Sequence, residues 1–216
     1  MVELVKRYQN ALKEISINNL GGIISDLNLE KRYEEGFDFY GSTFWTDISS
    51  PTLSSVETIL VELVQYANIS VSRCDGIEWW LSVQDVNKTP QWLLRPHFDR
   101  DDISKSMSEN SRSPEMSSVL FLNDLPYGEL VVMDQKFLKG SIVPDEPTSM
   151  TFIRPERNLY AVFPGYLYHG VIGRMWRPYC QCSLRITIAI NYWRNKPRAK
   201  YMRLGNKFQN AFAPKG

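Results

Sequence analysis

The chain has 216 residues, enough for one domain with a sizeable core and short for two. Hydrophobic residues make up 43% and charged residues 23%, which excludes a fibrous or disordered protein. Lys and Arg total 25 against 24 Asp and Glu, so a formal charge of +1 gives no net field that would steer the whole molecule to nucleic acid. No apolar run approaches the ~20 residues of a membrane helix. The opening MVELVKRYQNALKEI mixes charge into its apolar positions and lacks a signal-peptide core. Cys74, Cys180 and Cys182 form an odd set without C-x-x-C spacing, as expected of a reducing compartment. A cytoplasmic protein without membrane attachment, built as a single domain over 1–216, is the expectation.

Residues 1–76 read as a helical N-terminal support. Leu4, Val5, Tyr8, Leu12 and Ile15 recur at helical spacing, and Gly21-Gly22 is a natural stop. A second helix has Ser50 as a cap, Pro51 at its first position, and Ser54 with Glu57 at capping-box spacing. Its stripe of Leu53, Val56, Leu60, Leu63, Val64 and Ala67 predicts a helix laid on a sheet.

From Ile77 the texture becomes one of short apolar runs between turn residues. Strands are predicted at 78–86, 92–98, 118–123, 129–134, 150–153, 159–163, 168–172 and 183–193, with Pro and Gly between them. This pattern predicts a mainly β protein with a helical buttress, an α+β arrangement whose core over 77–193 is a jelly-roll or barrel. The stretch 101–117 is polar and serine-rich, and reads as a surface loop or lid. Residues 194–216 form a basic tail without an acid, with Tyr201, Phe208 and Phe212 interleaved. Nucleic-acid contact is one reading of it. The near-neutral total favours the other, a solvated, partly helical tail lying against the rest of the molecule.

The two histidines of the chain are His97 and His169. His97 lies in Arg95-Pro96-His97-Phe98-Asp99, and positions i and i+2 of an extended segment project to one side. His97 and Asp99 can therefore chelate one ion from a single strand end, with Phe98 facing away. His169 begins a later strand. Two imidazoles and a carboxylate on one face of a metal suit non-haem Fe(II), and they leave positions open for other ligands. A hydrolytic zinc site remains the alternative. Taken by itself, His-x-Asp is weak, since a lone histidine at a strand end is commonly structural.

The run Cys182 to Trp193 alternates strictly, putting Arg185, Thr187, Ala189 and Asn191 on one face. That face meets either water or the barrel interior. In the interior, the planar fork of Arg185, with the hydroxyl of Thr187, would clamp a small carboxylate. A guanidinium buried there calls for an anion.

Together, His97-Phe98-Asp99, His169-Gly170-Val171 and Arg185 resemble the Fe(II)- and 2-oxoglutarate-dependent dioxygenases, in their prolyl-hydroxylase-like form. Ser118 to Asp124 followed by Gly128-Glu129-Leu130 is similar to that group's strand, turn and "GGEL" segment. Ile153 to Asn158, leading into Ala161-Val162-Phe163-Pro164, resembles its entry to the distal-His strand, and Arg185-Ile186-Thr187 its Arg-x-Ser pair. The resemblance implies a double-stranded β-helix of the cupin type with N-terminal helices on one sheet. It implies Fe(II) held by His97, Asp99 and His169, 2-oxoglutarate held by Arg185 and Thr187, and O2 as oxidant, with succinate and CO2 released. The presence of Asp99 favours hydroxylation, desaturation or demethylation over halogenation.

The sequence departs from the family in three places. The stretch GVIGRMWRPYCQC between His169 and Arg185 is long, and Arg174 and Arg177 within it are rival anion binders that read as a solvated face. Many prolyl-hydroxylase-like proteins carry lysine where Arg185 stands. The tyrosine often found upstream of the first histidine has no counterpart, and Gln84, on the alternating face of Trp80 and Ser82, is its candidate substitute. A second arginine close behind the clamp, as in nucleic-acid demethylases, is missing. The substrate expected is a small metabolite, an amino acid or a peptide. The competing class is a catalytically silent jelly-roll that binds a small carboxylate or sugar.

Overall fold

Twelve strands and three α-helices make up the computed structural model, which describes residues 3–35, 43–69, 74–88, 91–101 and 112–198. In chain order they are β1 (Lys6–Tyr8), α1 (Glu14–Ser25), α2 (Leu29–Glu34), β2 (Phe44–Asp47), α3 (Ser55–Glu62), β3 (Gly76–Asp85), β4 (Trp92–His97) and β5 (Met116–Phe121). There follow β6 (Leu130–Met133), β7 (Lys136–Leu138), β8 (Ser141–Val143), β9 (Met150–Ile153), β10 (Tyr160–Pro164), β11 (His169–Ile172) and β12 (Leu184–Trp193). A six-stranded sheet runs β1-β10-β5-β12-β3-β2, a four-stranded sheet β4-β11-β6-β9, and β7 and β8 form a separate hairpin. Every pairing is antiparallel.

The two sheets pack face to face through Val119 and Phe121 of β5, Leu130 and Val132 of β6, and Ala161 and Phe163 of β10. This is the double-stranded β-helix anticipated from the sequence. A second core joins the outer face of the six-stranded sheet to the helices, through Leu81, Ile188 and Ile190 on one side and Leu20, Ile59 and Leu60 on the other. The helices thus cover one sheet only, which leaves the opposite face of that sheet to build a site.

The eight strands expected from periodicity are all present, within one or two residues of their predicted bounds. The N-terminal third differs. Leu4 to Tyr8 is not helical: Lys6–Tyr8 pairs with β10 as an edge strand, where the backbone partners offered by β10 outweigh the local helical period. Helix α1 starts at Glu14 and runs through Gly21 and Gly22 rather than stopping there. Ser16, Ile17, Leu20 and Ile24 are buried on one stripe, and that packing outweighs the ~1 kcal/mol helical cost of each glycine. Helix α3 begins at the capping box and not at Ser50-Pro51. Ser54 Oγ accepts from the Glu57 amide at 3.3 Å, and the Ser54 amide donates to Glu57 Oε2 at 2.9 Å. Glu57 Oε1 also accepts from Thr46 Oγ1, and Thr46 Oγ1 accepts from Trp79 Nε1, which ties α3 to β2 and β3.

In the stretch expected to be a loop, Met116 and Ser117 already belong to β5. Residues 102–111, and the tail from 199 onward, lie outside the described residues. At the root of both, the Arg112 guanidinium pairs with Asp101, and the Arg198 amide donates to the same carboxylate. No helix among the described residues is long and apolar enough to cross a membrane.

Candidate functional site

Strand β4 delivers His97 at its last residue, and β11 delivers His169 at its first; the two are partners in the antiparallel register. Between this rung and Leu94, β4 carries an extra residue relative to β11, a bulge that re-aims the strand end. Gly170 makes the bulge possible, since a Cβ there would meet the Leu94 carbonyl oxygen at 2.8 Å. Asp99 follows two residues after His97, and Phe98 turns the other way to pack on Tyr168, ring centroids 4.7 Å apart.

The three side chains converge. One ligand atom from each of His97, Asp99 and His169 lies within 4.8 Å of the others. Asp99 Oδ1 is 3.6 Å from His97 Nε2, and Asp99 Oδ2 is 3.5 Å from His169 Nε2. Each imidazole has its other nitrogen against a backbone carbonyl, His97 Nδ1 on Arg95 O at 3.1 Å and His169 Nδ1 on Leu167 O at 2.9 Å. Those carbonyls select the tautomer with the proton on Nδ1, so both Nε2 lone pairs face the gap. Burial alone would raise the Asp99 pKa. The two imidazoles and a hydrogen bond from Ser117 overcome it and hold the carboxyl well below the usual carboxylate range. Burial works against charge on both rings. His169 is pushed below its ordinary value, whereas the neighbouring Asp99 carries His97 above it. Three N/O donors on one side of a gap, with both rings oriented from behind by backbone carbonyls, fit a divalent ion with open positions.

Arg185 faces inward. It is 2% exposed, on the second residue of β12, directly opposite Gln84 of β3. Its Nε donates to Gly128 O at 2.9 Å, and Nη1 donates to Gln84 Oε1 at 3.2 Å and Thr187 Oγ1 at 3.1 Å. The guanidinium carbon stands 5.2 Å from the Phe121 ring centre. Gly128 adopts φ +85°, a conformation that suits glycine and aims its carbonyl at the arginine. Gln84, Arg185 and Thr187 line the same inter-sheet cavity as the triad. That cavity is narrow, about 40 Å³, room for roughly three ordered waters.

Arg174 and Arg177 stand elsewhere, and neither presents a merely solvated face. Arg177 pairs with Glu129 at 2.7 Å and stacks on Tyr127, and Arg174 lies 4.1 Å over Tyr179. One residue at the site was missed by sequence reasoning: Ser117, whose Oγ donates to Asp99 Oδ2 at 2.8 Å. Its signal was the two-residue period it shares with Val119 and Phe121, concealed because the polar stretch before it reads as a loop. A larger cavity, about 740 Å³, lies behind β12 and is lined by Ile24, Leu29, Tyr33, Leu184 and Ile186. Among the described residues, the one cluster with metal-ligand geometry is the triad.

The sequence matches no protein-family model and no curated protein. Solved structures do match. A prolyl-4-hydroxylase of Pseudomonas putida aligns over 90% of both chains with a TM-score of 0.54 and 15% identity. The fold is that of the 2-oxoglutarate oxygenases. AviO1 of Streptomyces viridochromogenes aligns over 93% of both chains with a TM-score of 0.52 and 16% identity. SnoK, a non-haem α-ketoglutarate-dependent carbocyclase from nogalamycin biosynthesis, aligns over 88% of this chain and 79% of its own, with a TM-score of 0.51 and 11% identity.

Proposed function

We propose that the chain is a non-haem Fe(II)- and 2-oxoglutarate-dependent dioxygenase that hydroxylates an unactivated C–H bond of a small metabolite, an amino acid or a peptide. The observation that carries this reading is the convergence, in one cavity, of a facial His-Asp-His cluster and a buried arginine. A prolyl-4-hydroxylase and an α-ketoglutarate-dependent carbocyclase share the fold, which adds support. Three cysteines without disulfide partners suit a cytoplasmic setting.

The residues divide the work. His97, Asp99 and His169 would hold Fe(II) on one face, the two rings through Nε2 and the aspartate as a charged ligand. Arg185 would take the distal carboxylate of 2-oxoglutarate, with the Thr187 hydroxyl and the Gln84 amide beside it. Both neighbours already hold Nη1, so the guanidinium plane is set before the anion arrives and little ordering is lost on binding. Leu130 lines the cavity and the Phe121 ring lies against the guanidinium, apolar surroundings in which an ion pair is stronger than in water. When bound, iron and cosubstrate supply the oxidising chemistry, with succinate and CO2 as co-products. The chain supplies geometry.

The test is direct. Purified without oxygen and given Fe(II) and 2-oxoglutarate, the protein should show a weak visible metal-to-ligand band. In air it should release succinate, faster in the presence of the right member of a screen of amino acids, peptides and small metabolites. Absence of both band and succinate would leave a non-catalytic jelly-roll that binds a small carboxylate or sugar.

A further inference from the structure

Ser117 and Ser118 are identical side chains with opposite surroundings. Strand alternation sends them to opposite faces of β5. Ser118 turns to the helix side, where its Oγ donates to Ile190 O at 2.9 Å and accepts from Tyr160 Oη at 2.7 Å. Ser117 turns into the cavity, is 2% exposed, and donates to Asp99 Oδ2 at 2.8 Å. A serine hydroxyl has one proton, and here it is spent on one particular carboxylate oxygen. Oδ1 lies on the His97 side, 3.6 Å from Nε2, and Oδ2 on the His169 side, 3.5 Å from Nε2, so the oxygens differ in the serine bond that Oδ2 alone accepts.

The difference between the two oxygens bears on coordination. A carboxylate free at both oxygens can chelate a divalent ion through both. One whose second oxygen accepts a short hydrogen bond is held in place and favours a single metal bond. We infer that Ser117 is a positioning residue that holds Asp99 so that it binds the ion through one oxygen. The inference rests on the oxygenase reading. An ion held by His97, His169 and one oxygen of Asp99 would keep more positions open to a cosubstrate and an oxidant than an ion chelated by both oxygens of Asp99.

The experiment compares the native protein with Ser117→Ala and Ser117→Thr. Each is prepared metal-free and titrated anaerobically with Co(II), read by its visible ligand-field absorption, and melted without metal. Ser117→Ala should bind Co(II) about tenfold more weakly or worse, with an altered absorption band. Ser117→Thr, which keeps the hydroxyl, should retain both affinity and band. Without metal, Ser117→Thr should melt like the native protein and Ser117→Ala somewhat lower, because a buried hydrogen bond to a carboxylate is lost, while all three keep the native circular dichroism spectrum, which places the change in affinity and band at the ion. Native affinity and a native band in Ser117→Ala would overturn the inference. A Ser117→Thr protein that melts like the native one yet binds as weakly as Ser117→Ala would also overturn it. Failure of the native protein to bind Co(II) would sink the oxygenase reading as well, whereas failure confined to the variants leaves that reading standing.

Discussion

His97 and His169 occupy one rung of the β4–β11 pair, with ring centroids 4.5 Å apart. They are the only histidines in the sequence. Asp99 closes the third side, and because the side chains rather than the strands make the cluster, ligand removal should spare the fold. Asp99→Ala should weaken Fe(II) binding by at least ~100-fold and abolish succinate formation, with the circular dichroism spectrum retained. Turnover that survives Asp99→Ala would show the ligand assignment to be wrong.

Arg185 touches none of the three ligands, so its effect should separate from theirs. Arg185→Lys replaces a planar fork with a point charge and loses one charge-assisted hydrogen bond, about 1.5–3 kcal/mol. The concentration of 2-oxoglutarate needed for half-maximal turnover should rise ~10- to 100-fold, and more for Arg185→Ala. Iron affinity, measured without cosubstrate, should not move.

Metal loading should depend on pH through His97. Asp99 and His169 are already in ligand form near neutrality, one held charged and the other held neutral. His97 is raised above its ordinary 6.5, chiefly because Asp99 outweighs the cost of burial, so it retains the proton that a metal must displace. Apparent Fe(II) affinity should rise ~10-fold per pH unit above 6.5 until His97 has titrated, then level. The sign for stability is the reverse. A raised histidine contributes stability that is fully present below 6.5 and lost as pH rises through its folded value, so the metal-free protein should melt slightly lower across that window. Melting curves with and without metal across this pH range would check both signs.

Gly128 is a backbone prop for the arginine. A Cβ there would stand 2.8 Å from Val86 Cγ1 and 3.1 Å from Arg185 Cδ, on a residue at φ +85°. Gly128→Ala should cost about 1–3 kcal/mol in a melting experiment and raise the 2-oxoglutarate requirement. A variant that melts lower but keeps native cosubstrate affinity would deny Gly128 any part in aiming Arg185.

Alternation made most of the site legible. The period of two along β12 put Arg185 and Thr187 on one face, which the structure turns inward, and the same period in His97-Phe98-Asp99 put its outer pair on one side. Gln84 appeared on the matching face of β3 for the same reason. Short strands were harder. Lys6–Tyr8 and Phe44–Asp47 are strands because β10 and β3 offer them edges, a long-range cause that leaves little local periodicity. Ser117 was obscured by its neighbours upstream. The engagement of Arg177 with Glu129 depends on loop geometry that no spacing encodes.

The two halves of the cavity are unequal in their support. Strand β12, which carries Arg185, is flanked by β3 and β5, while β4, which carries His97, is paired along one side only among the described residues. Amides of β12 should therefore exchange with solvent only on near-global unfolding, and those of β4 through smaller, more frequent openings. What loosens first around the cavity is then the edge that carries His97, against an arginine-bearing wall held on both sides.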